Sequence, residues 1–359
     1  MALELEQITK TVGREVHIHP TDLRLEPGHF NTLLGTTLAG KTTLMQLMAG
    51  LERPSAGRIR FAGQDVTGVP VRRRNVSMVY QQFINYPNMT VFENIASPLR
   101  VARMSEDEIR ARVGRMAEIL HISAWLDRRP AELSGGQQQR TAMARALVKD
   151  SGLVLLDEPL ANLDFKLREE LRDELPRLFA ERDAVVVYAT TEPTEALLLG
   201  GMTATMHEGR VTHFGPSGEV YRRPRDLVTA QVFSDPPLNI AEVRKEGREI
   251  FLDAVRWPAP AGLADGRYVV GIRPHHVTPA PDDRPRVALE GRVQVAEISG
   301  SESTIHFTIG GRNWVSVSHG VHPYEAGERT MFHADVARAL YFAPEDGRLV
   351  AVGNEKPGG

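Results

Sequence analysis

The sequence predicts an α/β domain built around a parallel sheet, followed by a small β-barrel domain. Three observations support this. The first is a glycine-containing segment at residues 35–42, G-x-x-x-x-G-K-T, between an apolar strand and a helical pattern. The second is a short apolar run, Gly152–Leu156, that ends at two carboxylates. The third is a change of character at Pro236, after which short strands alternate with Gly and Pro turns.

Length and composition restrict the class of protein. The 359 residues suffice for two domains, and 42% hydrophobic with 25% charged residues is typical of a soluble globular protein. A net charge of −3 gives no reason to expect nucleic-acid binding, and the lack of cysteine excludes disulfides and thiolate metal sites. The first residues show no apolar signal segment, and no run approaches the roughly eighteen apolar residues of a spanning helix. We therefore expect a cytosolic protein that reaches a membrane through partners.

The first strands lead to the glycine-containing segment. Residues 2–8 alternate apolar and polar, Leu23 and Leu25 indicate a second strand, and residues 29–34 form a third, after which a helical pattern runs through Leu51. Backbone amides of such a loop surround an anion, its lysine reaches the β- and γ-phosphates, and its threonine hydroxyl binds Mg²⁺. The alternative is an ordinary glycine loop with a surface lysine. The pattern favours nucleotide binding at Gly35, Thr36, Thr37, Leu38, Ala39, Gly40, Lys41, Thr42 and Thr43.

The middle of the chain reads as a strand followed by helices. Ser77–Tyr80 is an apolar-leaning strand that ends at Gln81, and residues 82–150 contain amphipathic helices such as Ser105–Leu120. Ser105 and Glu108 have the spacing of a capping box. A glutamine after a strand carries no meaning alone, but its order among the other motifs gives it weight.

The stretch from Leu133 to Asp164 contains the motifs to which the other candidate site residues are related. A buried strand that ends in Asp157 and Glu158 places both carboxylates at the edge of a parallel sheet where ligands bind. Magnesium prefers hard oxygen ligands and a hydrolytic water needs a base, so Asp157 suits the first task and Glu158 the second. Upstream, Leu133–Gln137 reads LSGGQ and offers a hydroxyl and free amides before a helix, which suits an anion. A salt-bridged strand end is the alternative for the Asp-Glu pair alone.

At these residues the chain resembles the ATP-binding-cassette ATPases, and most closely the subfamily that drives bacterial importers of sugars, polyols and glycerol phosphate. The resemblance covers nearly the whole chain. It implies a P-loop ATPase with a RecA-like core at residues 1–235, a helical subdomain at about 82–150, and ATP and Mg²⁺ as cofactors.

The resemblance also implies a composite site. In that family the phosphate loop, Asp157 and Glu158 of one subunit meet the LSGGQ motif of another, and two sites form as the dimer closes on two ATP molecules. The implied catalytic positions are Glu158, Gln81 and Thr191, and the implied metal positions are Thr42, Gln81 and Asp157. Further nucleotide contacts are implied for Ser134, Gly135, Gly136 and Gln137, for Val12, and for Asp164 in the crossing loop Ala161-Asn162-Leu163-Asp164.

Three departures from the family pattern stand out. The phosphate loop has Thr36-Thr37 where the family has Pro-Ser, and Leu38 where it has glycine, at a position that can require a positive φ. Val12 stands where the family stacks an aromatic residue on adenine, although Val12 also suits ordinary strand packing. Ala184–Thr190 is expected beside the Asp157 strand, and Thr191 after it replaces the family's histidine. Threonine cannot carry positive charge or share a proton as imidazole does, so we expect an impaired catalytic site.

The residues from 236 to 359 are expected to form a second domain, a small β-barrel or sandwich. Gly271-Ile272-Arg273-Pro274 resembles a turn in the oligonucleotide-fold regulatory domain of sugar-importer ATPases. A nucleic-acid partner is not expected, because no basic stripe interleaved with aromatic residues occurs. The expected strands are Glu249–Leu252, Tyr268–Ile272, Arg292–Ile298, Ser303–Ile309, Asn313–Val317 and Leu340–Phe342.

Together these features predict the ATPase subunit of a bacterial importer for a small carbohydrate, polyol or glycerol (phosphate). The intact LSGGQ motif with a compromised phosphate site suggests the degenerate half of a heterodimer with a paralogous ATPase. The expected partners are membrane permease subunits and, indirectly, a periplasmic solute-binding protein, with the chain peripheral on the cytoplasmic face of the inner membrane. The alternatives are a non-hydrolysing regulatory subunit, against which Glu158 argues, and a competent homodimer, against which Thr191 argues.

Overall fold

The computed structural model describes residues 1–161, 163–180, 182–281 and 286–353. It divides into two compact units, Met1–Gly218 and Glu219–Gly359. The domain boundary expected after residue 235 stays a prediction. In the described ranges, no helix has the length and apolar character needed to span a membrane.

The first unit contains the α/β elements. Its strands are β1 Leu3–Val12, β2 Glu15–Leu25, β3 Phe30–Leu34, β4 Ala56–Phe61, β5 Gln64–Asp65, β6 Val76–Val79, β7 Leu153–Asp157, β8 Val185–Thr190, β9 Met202–His207 and β10 Arg210–Pro216. Its helices are α1 Lys41–Ala49, α2 Val91–Val101, α3 Glu106–Ile119, α4 Gly135–Leu147, α5 Phe165–Ala180 and α6 Pro193–Leu199. Short helices α7 Ser217–Arg222 and α8 Leu227–Val232 follow.

A six-stranded sheet in the order β10-β9-β3-β8-β7-β6 forms the centre of the first unit. Strand β8 pairs in parallel with both β3 and β7, which confirms the predicted placement of Ala184–Thr190 beside the Asp157 strand. Strands β3, β7 and β8 are buried along their whole length, as expected for a parallel sheet covered on both faces. Their carboxyl ends therefore meet at one edge, from which the phosphate loop, Asp157 and the chain at Thr191 emerge.

A second, antiparallel sheet has the order β2-β1-β4-β5. The alternation in residues 2–8 identifies β1, but the strand continues to Val12. Its register shifts twice between Leu5 and Lys10, and Gln7 has φ 49°. Such irregularities move successive side chains to the other face and end the alternation that sequence patterns detect.

The helices α2, α3 and α4 pack around a shared apolar cluster that also contains residues of β7, β8 and α5. The predicted capping box at α3 is confirmed, since the Ser105 hydroxyl accepts the Glu108 amide and the Glu108 carboxylate accepts the Ser105 amide at 3.1 Å. Thr90 and Glu93 cap α2 in the same way. These caps satisfy amides that a helix start leaves unpaired.

The second unit contains a small, nearly closed β-barrel made of two sheets. The first sheet has the order β13-β12-β11-β14-β20-β21 and the second β15-β19-β16-β17-β18. Their bounds are β11 Asn239–Glu246, β12 Glu249–Leu252, β13 Val255–Pro258, β14 Gly266–Ile272, β15 Val277–Thr278, β16 Val287–Ile298, β17 Glu302–Ile309, β18 Arg312–His319, β19 Arg329–Ala334, β20 Leu340–Phe342 and β21 Leu349–Val352.

Side chains join the two sheets of this barrel. The buried Asn239 amide group donates to the Val315 carbonyl at 2.8 Å and accepts the Val315 amide at 2.6 Å. Phe307 and Phe332 stack with ring centroids 3.6 Å apart in a core shared by both sheets. The six predicted strands are confirmed, which establishes the oligonucleotide-fold-like barrel predicted after the α/β unit.

Candidate nucleotide-binding site

The phosphate loop connects β3 to α1. A Cβ atom added at Gly35 would lie 2.6 Å from the Met206 carbonyl oxygen, so only glycine fits there. Gly40, the residue before the helix, has φ 99°, a conformation that side-chain-bearing residues rarely adopt. The amide of Gly209, in the turn between β9 and β10, donates to the Ala39 carbonyl at 3.0 Å. The loop is thus held against this turn, with the N-terminus of α1 open to an anion.

Leu38 lies at the exposed tip of the loop. Its φ is 68° and its side chain is 94% exposed. The left-handed backbone suspected from the sequence is therefore present, and it brings Cβ strain of roughly 1–2 kcal/mol that glycine would not have. Leu38 gains no packing in return.

Lys41 is buried and turns back over the loop. Its ammonium group donates to the carbonyls of Gly35 and Thr36 at 2.8 and 3.1 Å and lies 3.4 Å from Glu158 Oε1. Burial lowers the Lys41 pKa, and the neighbouring Glu158 and Asp157 carboxylates oppose that change. Positive charge is thereby held where the loop would receive phosphate oxygens.

Asp157 and Thr42 form a pair of hard oxygen donors. The Thr42 hydroxyl donates to Asp157 Oδ2 at 2.7 Å. The other carboxylate oxygen of Asp157, Oδ1, is buried and has no hydrogen-bond partner among the described residues. Burial raises the Asp157 pKa, the Thr42 hydrogen bond lowers it, and the nearby Glu158 charge raises it. An unpartnered buried carboxylate oxygen beside a hydroxyl suits Mg²⁺, which typically takes one or two protein ligands and completes its shell with phosphate and water.

Glu158 lies between a cation and an amide. Its Oε1 faces Lys41, and its Oε2 accepts a hydrogen bond from Gln81 Nε2 at 3.0 Å. Its backbone has φ 45°, and its amide donates to the Ala189 carbonyl of β8 at 3.0 Å. Because the strand ends and this bond fix the backbone, the carboxylate stays between Gln81 and Lys41.

An open cleft of about 590 Å³ surrounds these groups, and it contains residues that sequence reasoning missed. Val16 and His17 of β2 line it beside the loop, whereas Val12 is half-exposed at the end of the hairpin and is not among the lining residues. The amide of His19 donates to the Gly209 carbonyl, and this contact, invisible in the sequence, brings β2 to the loop. The lining residues are Glu15, Val16, His17, Thr37, Leu38, Ala39, Gly40, Lys41, Thr42, Thr43, Gln81, Glu158, Glu208 and Gly209.

Thr191 is exposed and follows β8 directly. The carbonyl of the preceding residue, Thr190, accepts the Gly35 amide at 3.3 Å, so Thr191 emerges beside the start of the phosphate loop. The Thr190 hydroxyl donates to the buried Glu195 carboxylate at 2.5 Å and accepts the Glu192 amide at 3.0 Å. These bonds fix the turn that presents Thr191.

The LSGGQ segment lies at another helix start. Ser134 caps α4, and its hydroxyl and the Gln137 side chain form a capping box. Ser134 and Gly135 are exposed, Gly136 and Gln137 are partly exposed, and none of the four lines the cleft. Asp164 caps α5 by accepting the Leu167 amide at 3.0 Å, while Asn162 of the same loop lies outside the described residues.

Comparisons with known proteins agree with this arrangement. A family model for the ABC transporter matches residues 18–161, and a model for the TOBE domain matches residues 270–349. The sn-glycerol-3-phosphate import ATP-binding protein UgpC of Paraburkholderia xenovorans (strain LB400) is 35% identical over 360 residues, covering 97% of this chain and 99% of that protein. The putative uncharacterized ABC transporter ATP-binding protein YcjV of Escherichia coli (strain K12) is 31% identical over 353 residues, covering 96% and 98%.

Two solved structures resemble the first unit. The dimeric structure of MJ0796, a bacterial ABC transporter cassette, is 27% identical with a TM-score of 0.57, over 60% of this chain and 98% of that one. A post-hydrolysis state of the same cassette bound to ADP and Pi has a TM-score of 0.55 at the same identity and coverage.

The fold and the loop geometry define a P-loop ATPase. Because relatives more than 30% identical match nearly its whole length, the chain belongs to the ABC transporter family, as an ATP-binding subunit with a TOBE domain. It is a transport ATPase of a family that binds ATP, and importer ATPase subunits of this type work with membrane permease subunits.

Proposed function

We propose that this chain powers an importer for a small carbohydrate, polyol or glycerol phosphate, as the degenerate half of an ATPase heterodimer. The substrate class is supported by the UgpC relative, which is named for sn-glycerol-3-phosphate import and aligns over nearly the whole chain. The observation that carries the asymmetry is Thr191. It emerges beside the phosphate loop, where the family has a histidine, while the LSGGQ helix start is intact and exposed.

Each group of site residues has a separate role in binding and hydrolysing ATP. The backbone amides of the phosphate loop other than those of Gly35 and Ala39, which donate to the Thr190 and Thr36 carbonyls, hold the ATP phosphates together with the Lys41 ammonium. Thr42, Gln81 and Asp157 would hold Mg²⁺, which would neutralise phosphate charge. Glu158 accepts a proton from the attacking water, oriented by Gln81. Thr191 offers one hydroxyl where an imidazole would stabilise developing charge, so turnover at this chain's own site is slow.

The LSGGQ segment of this chain serves a different site. The Ser134 hydroxyl and the free amides at the start of α4 form an exposed helix end that can bind an anion. Together with Asp164, they complete the ATP site of a paralogous ATPase that has the histidine at the position of Thr191. Closure of the dimer drives permease subunits on the cytoplasmic face of the inner membrane, and a periplasmic binding protein delivers the solute.

Specific observations bear on two alternative functions. The base Glu158 and its contact with Gln81 are retained, which favours slow hydrolysis over a purely nucleotide-sensing subunit. A competent homodimer is the other alternative, and it requires Thr191 to replace the histidine without loss.

The test is co-purification of this chain from its native membrane, with ATP·Mg²⁺ binding measured on the purified chain and on Lys41→Ala. Permease subunits and a second ATPase are expected in the complex, and Lys41→Ala is expected to lose nucleotide binding. The control is Lys166→Ala, because the Lys166 side chain is 87% exposed on α5. Recovery of permeases with no second ATPase would overturn the heterodimer, and equal binding by both variants would overturn the nucleotide site.

A further inference from the structure

The first unit contains a second cavity, of about 350 Å³, far from the phosphate loop in the sheet topology. Its walls come from α3, from the residues after α4, and from the end of α5. Asp150 and Arg182, which line it, lie three residues before the first residues of β7 and β8. The cavity therefore lies at the sheet edge opposite the one that carries the nucleotide site.

Positive charge exceeds negative charge among the residues that line this cavity: three arginines, Arg112, Arg115 and Arg182, accompany one acid, Asp150. Arg112 pairs with Asp150 Oδ2 at 2.5 Å, and Arg182 lies 4.0 Å from Asp150 Oδ1. Arg115 makes no hydrogen bond or ion pair within the ranges the structure describes.

The arginines are close enough to affect one another. Burial lowers the pKa of the Arg182 guanidinium, Asp150 opposes that change, and Arg112 and Arg115 lower the pKa further. The Arg182 side chain is only 24% exposed, and it donates to the Leu147 carbonyl at 3.1 Å, which fixes its position. A second negative charge in the cavity would relieve this repulsion and would be held by charge-assisted hydrogen bonds.

The remaining wall is apolar. Met116 and Ile119 of α3, Val148 after α4 and Leu178 of α5 complete the lining. A ligand that matches both the arginines and the apolar wall carries a compact dianion and a small apolar body.

We propose that this cavity is a binding site for a phosphate dianion, free or as a phosphomonoester, held by Arg112, Arg115 and Arg182. The occupant contacts α3 and the ends of α4 and α5 together. It therefore stabilises the helical part of the unit against the sheet, at a place separate from the ATP phosphates.

The experiment measures the melting temperature of the full chain against concentration of inorganic phosphate and of phenyl phosphate, at ionic strength matched with sodium chloride. The variant is Arg115→Gln, which breaks no described contact. The matched control is Arg110→Gln, an exposed arginine on the same helix that does not line the cavity. Phosphate that binds at the phosphate loop contributes equally to all three proteins, so the difference between the variants reports the arginine cavity alone.

We expect Arg115→Gln to weaken the apparent affinity about tenfold, because one charge-assisted hydrogen bond is lost, while Arg110→Gln matches the wild type. Tighter binding of phenyl phosphate than of inorganic phosphate would identify a phosphomonoester as the ligand, and equal binding would identify free phosphate. Identical affinities for Arg115→Gln and Arg110→Gln with both probes would overturn the proposal.

Discussion

Thr191 carries the main difference that we propose between this site and that of the family to which the chain belongs. Its position is fixed by the buried strand β8 and by the Gly35 amide, which donates to the carbonyl one residue earlier. In the site around it, Lys41 pairs with Glu158, and Asp157 precedes Glu158 and accepts a hydrogen bond from the Thr42 hydroxyl.

Thr191→His is expected to raise ATP turnover at this chain's own site by at least tenfold. An imidazole adds a donor and a proton-sharing group at a developing charge, where one preorganised donor is commonly worth about 10²–10³ in rate. The measurement is kcat for ATP hydrolysis by the purified chain at saturating ATP·Mg²⁺. The control is Thr191→Gln, which adds a donor of similar reach without the titratable ring. A histidine variant that binds ATP and gains nothing would show that the Leu38 and Val12 departures limit the site.

Leu38→Gly is expected to tighten ATP binding and to raise the free energy of unfolding by up to about 1 kcal/mol. The reason is that Leu38 has a positive φ and 94% exposure, so its removal relieves backbone strain and loses no packing. Isothermal titration with ATP and urea unfolding measure the two effects. Leu38→Ala separates the causes, because alanine keeps the strain while removing the bulk. A glycine variant no more stable than the alanine variant would contradict the strain account.

At the residue scale, the sequence predicts which side chains of the candidate site meet. Lys41, Thr42, Asp157 and Glu158 meet because parallel strands end at one sheet edge, a rule that needs no coordinates. The Lys41–Glu158 contact and the lining by Val16 and His17 depend on how a loop turns back and which hairpin lies beside it. Those contacts are set by tertiary packing, which residue spacing does not encode.

The turn between β8 and α6 is the element that positions Thr191. Glu195, on α6, is buried and accepts hydrogen bonds from the hydroxyls of Tyr188 and Thr190 at 3.1 and 2.5 Å. Burial raises the pKa of Glu195, hydrogen bonds from Thr190 and Tyr188 lower it, and the Glu192 charge raises it. The net direction of the pKa shift is upward, so the folded protein favours the protonated form of Glu195 more than water does.

The raised pKa of Glu195 predicts how the free energy of unfolding depends on pH. A carboxyl whose folded-state pKa is raised contributes stability below its unfolded pKa and loses it as pH rises through the folded value. Wild-type stability is therefore expected to fall from about pH 4.5 upward relative to Glu195→Gln, whose neutral amide does not titrate. Urea unfolding at pH 5 and pH 8 measures the difference. Glu118→Gln, at an exposed position on α3, is the control. A wild-type free energy of unfolding that stays level or rises relative to that of Glu195→Gln between pH 5 and pH 8 would contradict the assignment.

At the element scale, strands with a clear period or a continuous apolar run were predictable, and irregular ones were not. The strands β3, β7 and β8 are buried throughout and largely apolar, and they match their predicted positions within one residue. Strand β11 was missed although its burial alternates, because Lys245 is one of its buried positions. Its ammonium group reaches Asp265 at 2.7 Å, and this distant partner makes a buried lysine acceptable.

At the scale of the whole molecule, the chain is an ABC transporter ATPase with an α/β unit and a TOBE-type β-barrel unit. The proposed asymmetry rests on a comparison of two parts of this chain, the phosphate-binding residues and the LSGGQ helix start. The phosphate-binding half carries Leu38 and Thr191, whereas Ser134 and Gln137 form a capping box at the LSGGQ helix start. One subunit can therefore be a weak ATPase at its own site and a full participant in that of its partner.

The most direct test is ATP hydrolysis by the complex purified from its native membrane, with Glu158→Gln in this chain or the matching substitution in the second ATPase. The account predicts that Glu158→Gln leaves most of the activity, while the substitution in the second ATPase removes it. Loss of turnover on Glu158→Gln, in a complex that contains no second ATPase, would contradict it. In that case the chain would be a homodimeric motor in which Thr191 replaces the histidine without loss.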